Sequence, residues 1–91
     1  MGLLEDLARC TGFDWVRHQV AAAECEQVFF NRPLAAAADE DHSEEEPRVY
    51  VLGQTDTGRR LFIAVMIRRG LIRVISARDM NRRERAEYER P

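Results

Sequence analysis

A chain of 91 residues, 45% apolar and 33% charged, has the composition of one soluble globular domain, too short for two cores and too apolar to remain disordered. No apolar run approaches the roughly 20 residues of a bilayer-spanning helix, and Glu5 and Asp6 interrupt the amino-terminal apolar stretch where a signal peptide carries basic residues, so a cytoplasmic location is expected. The net charge of −2 hides a division: residues 1–57 hold four arginines and twelve acids, a balance of −8, and residues 58–91 hold ten arginines and four acids, a balance of +6.

Leu3, Leu4, Leu7 and Ala8 recur at helical spacing before Thr11-Gly12, which predicts two turns of amphipathic helix within residues 3–10. Phe13 to Val16 reads as a short strand. Ala21 to Phe30 reads as a helix whose apolar face is made by Val20, Cys25, Val28 and Phe29, and Asn31-Arg32-Pro33 ends it. Leu34 to Ala38 leaves two readings open, because alanine favours helix while a place between Pro33 and an acidic loop suits a strand. Asp39 to Pro47 holds six acids and reads as a solvated loop.

From Arg48 the period becomes that of strands. Val49 to Leu52 is ended by Gly53, Thr55 to Gly58 has turn chemistry, and Leu61 to Ile67 is a nearly continuous apolar run, the mark of a strand covered on both faces. Arg68-Arg69-Gly70 reads as a hairpin turn into the strand Leu71 to Ser76, so three antiparallel strands follow one another. Asn81-Arg82-Arg83-Glu84 has the form of a capping box, which starts a helix at about residue 82. That helix covers the sheet only through Met80, Ala86, Tyr88 and the stems of its arginines.

Cys10 and Cys25 are separated by fourteen intervening residues, without further cysteine or paired histidine at zinc-site spacing. Both read as small buried hydrophobes rather than catalytic thiols. The acids of the 39–47 loop are consecutive, unlike those of a calcium loop, so neither a metal nor a cofactor is expected. All fourteen basic residues are arginine, the side chain suited to bidentate phosphate contacts.

An ordered series of short matches resembles one family. It runs through Val28-Phe29, Pro33-Leu34, Asp41-His42-Ser43, Glu46, Arg48, Leu52-Gly53, Gly58-Arg59, Arg73 to Arg78, Arg82 to Arg85 and Tyr88-Glu89. In this order and spacing the chain resembles the BrnT family of ribonuclease toxins over about three quarters of its length. The amino-terminal quarter departs from that pattern, since Phe13-Asp14-Trp15 is followed almost at once by Arg17-His18-Gln19-Val20. Most of one helix is missing there, and residues 1–12 form an extension that can fill its place. The resemblance implies an α+β, RelE-like fold: a twisted antiparallel sheet with helices before it and one arginine-rich helix after it. It further implies a type II toxin that cleaves RNA and binds a ribbon-helix-helix antitoxin, the complex binding promoter DNA through the antitoxin.

Metal-free cleavage of RNA requires a group to take the 2′-hydroxyl proton, a group to protonate the leaving 5′-oxygen, and cations around the phosphate as charge develops. Arg59, Arg78, Arg82 and Arg83 are the candidates for the cations, expected to converge if the last helix folds on the sheet, with Arg48 and Arg85 adding RNA contacts and the helix amino terminus adding attraction. Glu46, His18 and Tyr88 are the candidates for proton transfer; His42 reads either as catalytic or as ordering its loop. Two other readings stay open: a catalytically impaired protein that only engages its antitoxin, and a noncatalytic RNA-binding domain. The second ranks last because the strands show no aromatic pair placed for base stacking. The competing view of the arginines is a solvated helix face paired with Glu84, Glu87 and Glu89.

Overall fold

The computed structural model describes residues 3–15, 22–39 and 48–90. In chain order they form α1 (Leu3–Ala8), β1 (Gly12–Trp15), α2 (Ala22–Phe30), β2 (Ala35–Ala38), β3 (Arg48–Gln54), β4 (Arg60–Arg68), β5 (Leu71–Asp79) and α3 (Arg82–Tyr88). The strands lie side by side as β1-β5-β4-β3-β2. The architecture is α+β, as expected, but the sheet is mixed. The antiparallel order holds for β2 to β5, whereas β1 runs parallel to β5, with Phe13 opposite Ile72 and Gly12 opposite Leu71. A hairpin dictates the direction of consecutive strands; β1 meets a strand about sixty residues away along the chain, so its direction is set by packing instead.

The open choice at Leu34 to Ala38 resolves as a strand. Ala35 to Ala38 pairs with Leu52 to Val49 along the far edge of the sheet, and the Asp39 amide extends the pairing by donating to the Arg48 carbonyl at 2.8 Å. Here the requirement that the β3 backbone find partners overrides the helical preference of alanine. The two-residue connection between β4 and β5 is of the primed type: Arg69 and Gly70 both have positive φ, 53° and 75°, the twist that hairpins favour. At the β3–β4 connection Thr55 is buried, its hydroxyl accepts from the Arg59 amide, and Gly58 supplies the positive φ.

One irregularity decides which way the arginines face. Val65 pairs with Val74 and Ala64 with Ser76, so Ile75 is an extra residue in β5. Strict alternation from Ile72 and Val74 would send Ser76 and Arg78 toward the helices. The bulge shifts the alternation by one, turning Ala77 inward and Arg78 to the opposite face, beside Phe62.

The core lies on one face only. Cys25 and Val28 of α2 and Leu7 of α1 pack on Val49, Val51, Leu61, Ile63, Val65 and Val74. The amino-terminal helix thus supplies a core residue. Burial pushes the Cys25 thiol up to about 11, which leaves it a packed hydrophobe rather than a nucleophile. Val20, the other residue expected on the apolar face of α2, lies outside the described residues. At Gly53 α2 comes close to the sheet: a Cβ there would stand 2.5 Å from Val28 Cγ1 and 3.4 Å from the Val28 carbonyl oxygen. Val28 is fully buried and stiff at χ1, so it has little room to give. Gly53→Ala is therefore expected to lower stability by about 1–3 kcal/mol, read as a lower urea midpoint with unchanged slope.

Candidate functional site

The face opposite the core is built by register. Across β3, β4 and β5 it carries the rows Arg48–Met66–Arg73, Tyr50–Ala64–Ser76 and Leu52–Phe62–Arg78, with Arg60 and Arg68 at the ends of β4. Five arginines therefore share one face, and β3, β4 and β5 place no acid on it. Alternation produces this pattern, since each of these arginines is an even number of positions from its face-mates except across the bulge.

Helix α3 closes one end of that face. The capping box forms as expected, with Asn81 Oδ1 accepting from the Glu84 amide at 2.8 Å and a Glu84 carboxylate oxygen accepting from the Asn81 amide at 2.9 Å. The same carboxylate takes both terminal nitrogens of Arg78, at 2.7 and 2.8 Å, while the guanidinium lies 4.2 Å from the centre of the Phe62 ring. At the other end of α3 the Arg60 guanidinium pairs with Glu89 at 3.2 Å, and the Tyr88 hydroxyl donates to the Pro33 carbonyl. The anion attraction expected at the start of this seven-residue helix is already met by Glu84, its own third residue.

The candidate residues separate into distinct environments. Arg78 and Arg48 are on the arginine-rich face; Arg48 lies 3.5 Å from the buried carboxylate of Asp39, which also accepts from the Tyr50 hydroxyl at 2.6 Å. Arg59 does not join them. Its Nε and Nη2 hold Asp79 at 2.8 and 3.2 Å and its Nη1 holds Glu24 of α2 at 3.0 Å, on the side of the sheet that α2 covers. Alternation sends adjacent Arg78 and Asp79 to opposite faces, the bulge sets which face each takes, and Asp79 draws Arg59 with it. Arg82, Arg83 and Arg85 are exposed on α3 and carry no ion pair among the described residues. Tyr88 is buried, and burial raises its hydroxyl above the usual range. Glu46, His18 and His42 lie outside the described residues.

Three arginines on the face, Arg60, Arg68 and Arg73, were not among the sequence candidates. Their signal was present in the hairpin turn, which pairs Arg68 with Leu71 and Met66 with Arg73, but face assignment on β5 also needs the bulge. An aromatic pair is present as well, contrary to the expectation that the strands lack one. Tyr50 and Phe62 stand diagonally across β3 and β4 with ring centres 5.2 Å apart. The competing view of the arginines is partly realised, since Glu84 and Glu89 do take arginines, though from the sheet and not from the helix. Among the described residues there is no group of three or more side chains suited to hold a metal ion, and no helix is long and apolar enough to cross a membrane.

The family model of BrnT, the ribonuclease toxin of type II toxin–antitoxin systems, matches residues 13–84. The chain belongs to the BrnT family. No curated protein matches it. The match runs from Phe13 in β1 through the first turn of α3 and leaves out α1. Membership implies an RNA substrate and an antitoxin partner.

The carboxylate at the centre of the α3 contact is pH-sensitive. Bonding to Arg78 foremost, and the Asn81 amide, hold Glu84 below its usual 4.5 against the opposing effect of burial. A depressed carboxylate stabilises the fold above its unfolded value and loses that contribution as pH falls through its folded one. The melting-temperature gap between wild type and Glu84→Gln is expected to be widest near neutrality and to narrow as pH falls below the usual carboxylate value of 4.5. A gap that is constant from pH 7 to 3 would remove Glu84 from this role.

Proposed function

We propose that this BrnT-family protein is a metal-independent endoribonuclease of RelE-like fold that binds RNA on the open sheet face and arrests growth by cutting messages. The observation that carries this reading is the face itself: Arg48, Arg60, Arg68, Arg73 and Arg78 gathered on one side of three strands without an acid from those strands among them. Such a surface attracts the phosphate backbone, and guanidinium groups can neutralise the charge that grows on a phosphate under attack by its neighbouring 2′-oxygen. The arginines thereby fulfil the electrostatic part of the reaction with no metal required. In the reaction the 2′-oxygen bonds to phosphorus as the 5′-oxygen departs, one proton leaving the first and one reaching the second. Glu46 and His18 are the proposed proton carriers. Tyr88, buried and committed to the Pro33 carbonyl, is better suited to holding α3.

Arg78 is the proposed centre of phosphate binding, and Arg82, Arg83 and Arg85, exposed on α3, are the proposed further RNA contacts. Arg59 supports the site from beneath, through Asp79. The partner is proposed to be a ribbon-helix-helix antitoxin that covers this face and links the pair to promoter DNA.

A second reading, a protein that binds its antitoxin without cutting RNA, is favoured by one feature. Arg59 and Arg78 are each already held by carboxylates, so phosphate must displace Glu84 before Arg78 can serve it. Induced expression separates the two. Wild type is expected to arrest growth, and Arg78→Ala to relieve the arrest with RNA cleavage slower by roughly 10²–10³, the loss typical of one well-placed donor. Equal arrest by both would discard the role of Arg78. Purified protein that leaves RNA intact while retaining its antitoxin would establish the second reading.

A further inference from the structure

Between α3 and the β2–β3 corner of the sheet lies a cavity of about 540 Å³. Three rings contribute to its wall: Tyr50 and Phe62 from the sheet and Tyr88 from α3. Its floor is open because β2 presents only alanine there: Ala35 stands opposite Leu52 and Ala37 opposite Tyr50 on the arginine-rich face, and both are exposed. Larger residues at these two positions would fill the space. The cavity is continuous with the cationic face through Phe62, whose ring lies under the Arg78 guanidinium.

Resting on the ribonuclease reading, we infer that this cavity is a nucleobase subsite, which takes one unstacked base of single-stranded RNA between the aromatic wall and the alanine floor. The lining decides which part of a nucleotide enters. Glu87 stands on the α3 side, so phosphate is repelled from the interior, whereas a base offers flat faces to the rings and N–H donors to the Glu87 carboxylate. Arg90 at the same wall makes no ion pair among the described residues, and with Arg78 it leaves the phosphates a cationic path outside the cavity. Stacking on aromatic side chains tolerates any base, because every base has a π-face. The cavity therefore contributes affinity for unpaired RNA that the arginines alone do not supply.

The test compares binding of two 2′-O-methyl decamers, which cannot be cut by 2′-oxygen attack: decacytidylate and an abasic decamer of equal charge. Fluorescence anisotropy at one salt concentration gives the ratio of their affinities. Wild type is expected to prefer the base-bearing strand by at least roughly fivefold, the lower end of one stacked base. Ala37→Leu, which fills the floor from an exposed edge position and leaves every arginine in place, is expected to bring the ratio close to one with abasic binding and melting temperature unchanged. Phe62→Leu, which keeps apolar volume and loses the ring, is expected to lower the ratio as well. A wild-type ratio near one, or a ratio untouched by Ala37→Leu, overturns the subsite. So does loss of antitoxin binding in Ala37→Leu with the RNA ratio intact, which would assign the cavity to a side chain of the partner. Cleavage without base preference defeats the subsite alone, and base preference without cleavage defeats only the ribonuclease reading.

Discussion

A single extra residue in β5 organises this protein. With Ile75 bulged out of the ladder, Ala77 enters the core, Arg78 turns to the open face and Asp79 turns back toward α2. Without that shift, an arginine would point into the helix-covered side of the sheet, where a charge is costly unless paired. The same shift assigns to opposite sides of the sheet two ion-pair systems that are adjacent in sequence. Arg59, Asp79 and Glu24 tie the β3–β4 connection to α2 on one side, and Arg78 with Glu84 ties α3 to the sheet on the other.

Glu84 is the point where stability and function meet. Its carboxylate caps α3 and holds Arg78 in a bidentate geometry above Phe62. This arrangement orders the guanidinium before any ligand arrives and so reduces the entropy lost when a ligand binds. It also sets up a competition, since a phosphate oxygen requires the same donors. A short helix with little apolar surface is well suited to such a role. Held mainly by Arg78–Glu84, Arg60–Glu89 and the Tyr88 hydroxyl, α3 docks through contacts that an anion can contest.

The division of charge along the chain becomes a division of labour in three dimensions. Of the five arginines on the open face, four come from the basic second half, and Arg48 joins them from the acidic half at the start of β3. Among the described residues, Asp39, Glu84 and Glu89 pair with arginines at the margins of this face, and its interior carries Tyr50, Phe62, Ala64 and Met66. An apolar and aromatic centre with a cationic border suits a ligand that is itself flat and apolar in its bases and anionic in its backbone.

The sequence by itself determined what depends on neighbours a few residues apart. The Asn81–Glu84 cap, the turn at Arg69-Gly70, the strands on either side of it, the burial of Cys25 and the family are all legible there, because dihedral preferences, caps and short motifs are local. Only the tertiary structure decided what depends on pairing between distant segments. It made β1 parallel and turned the alanine run into an edge strand. It parted Arg59 from Arg78, brought Tyr50 beside Phe62, and added Arg60, Arg68 and Arg73 to the same face. The physical reason is the period of two in a strand: one bulged residue reverses every later side chain, and no local preference in Val74-Ile75-Ser76 reveals that the ladder slips there.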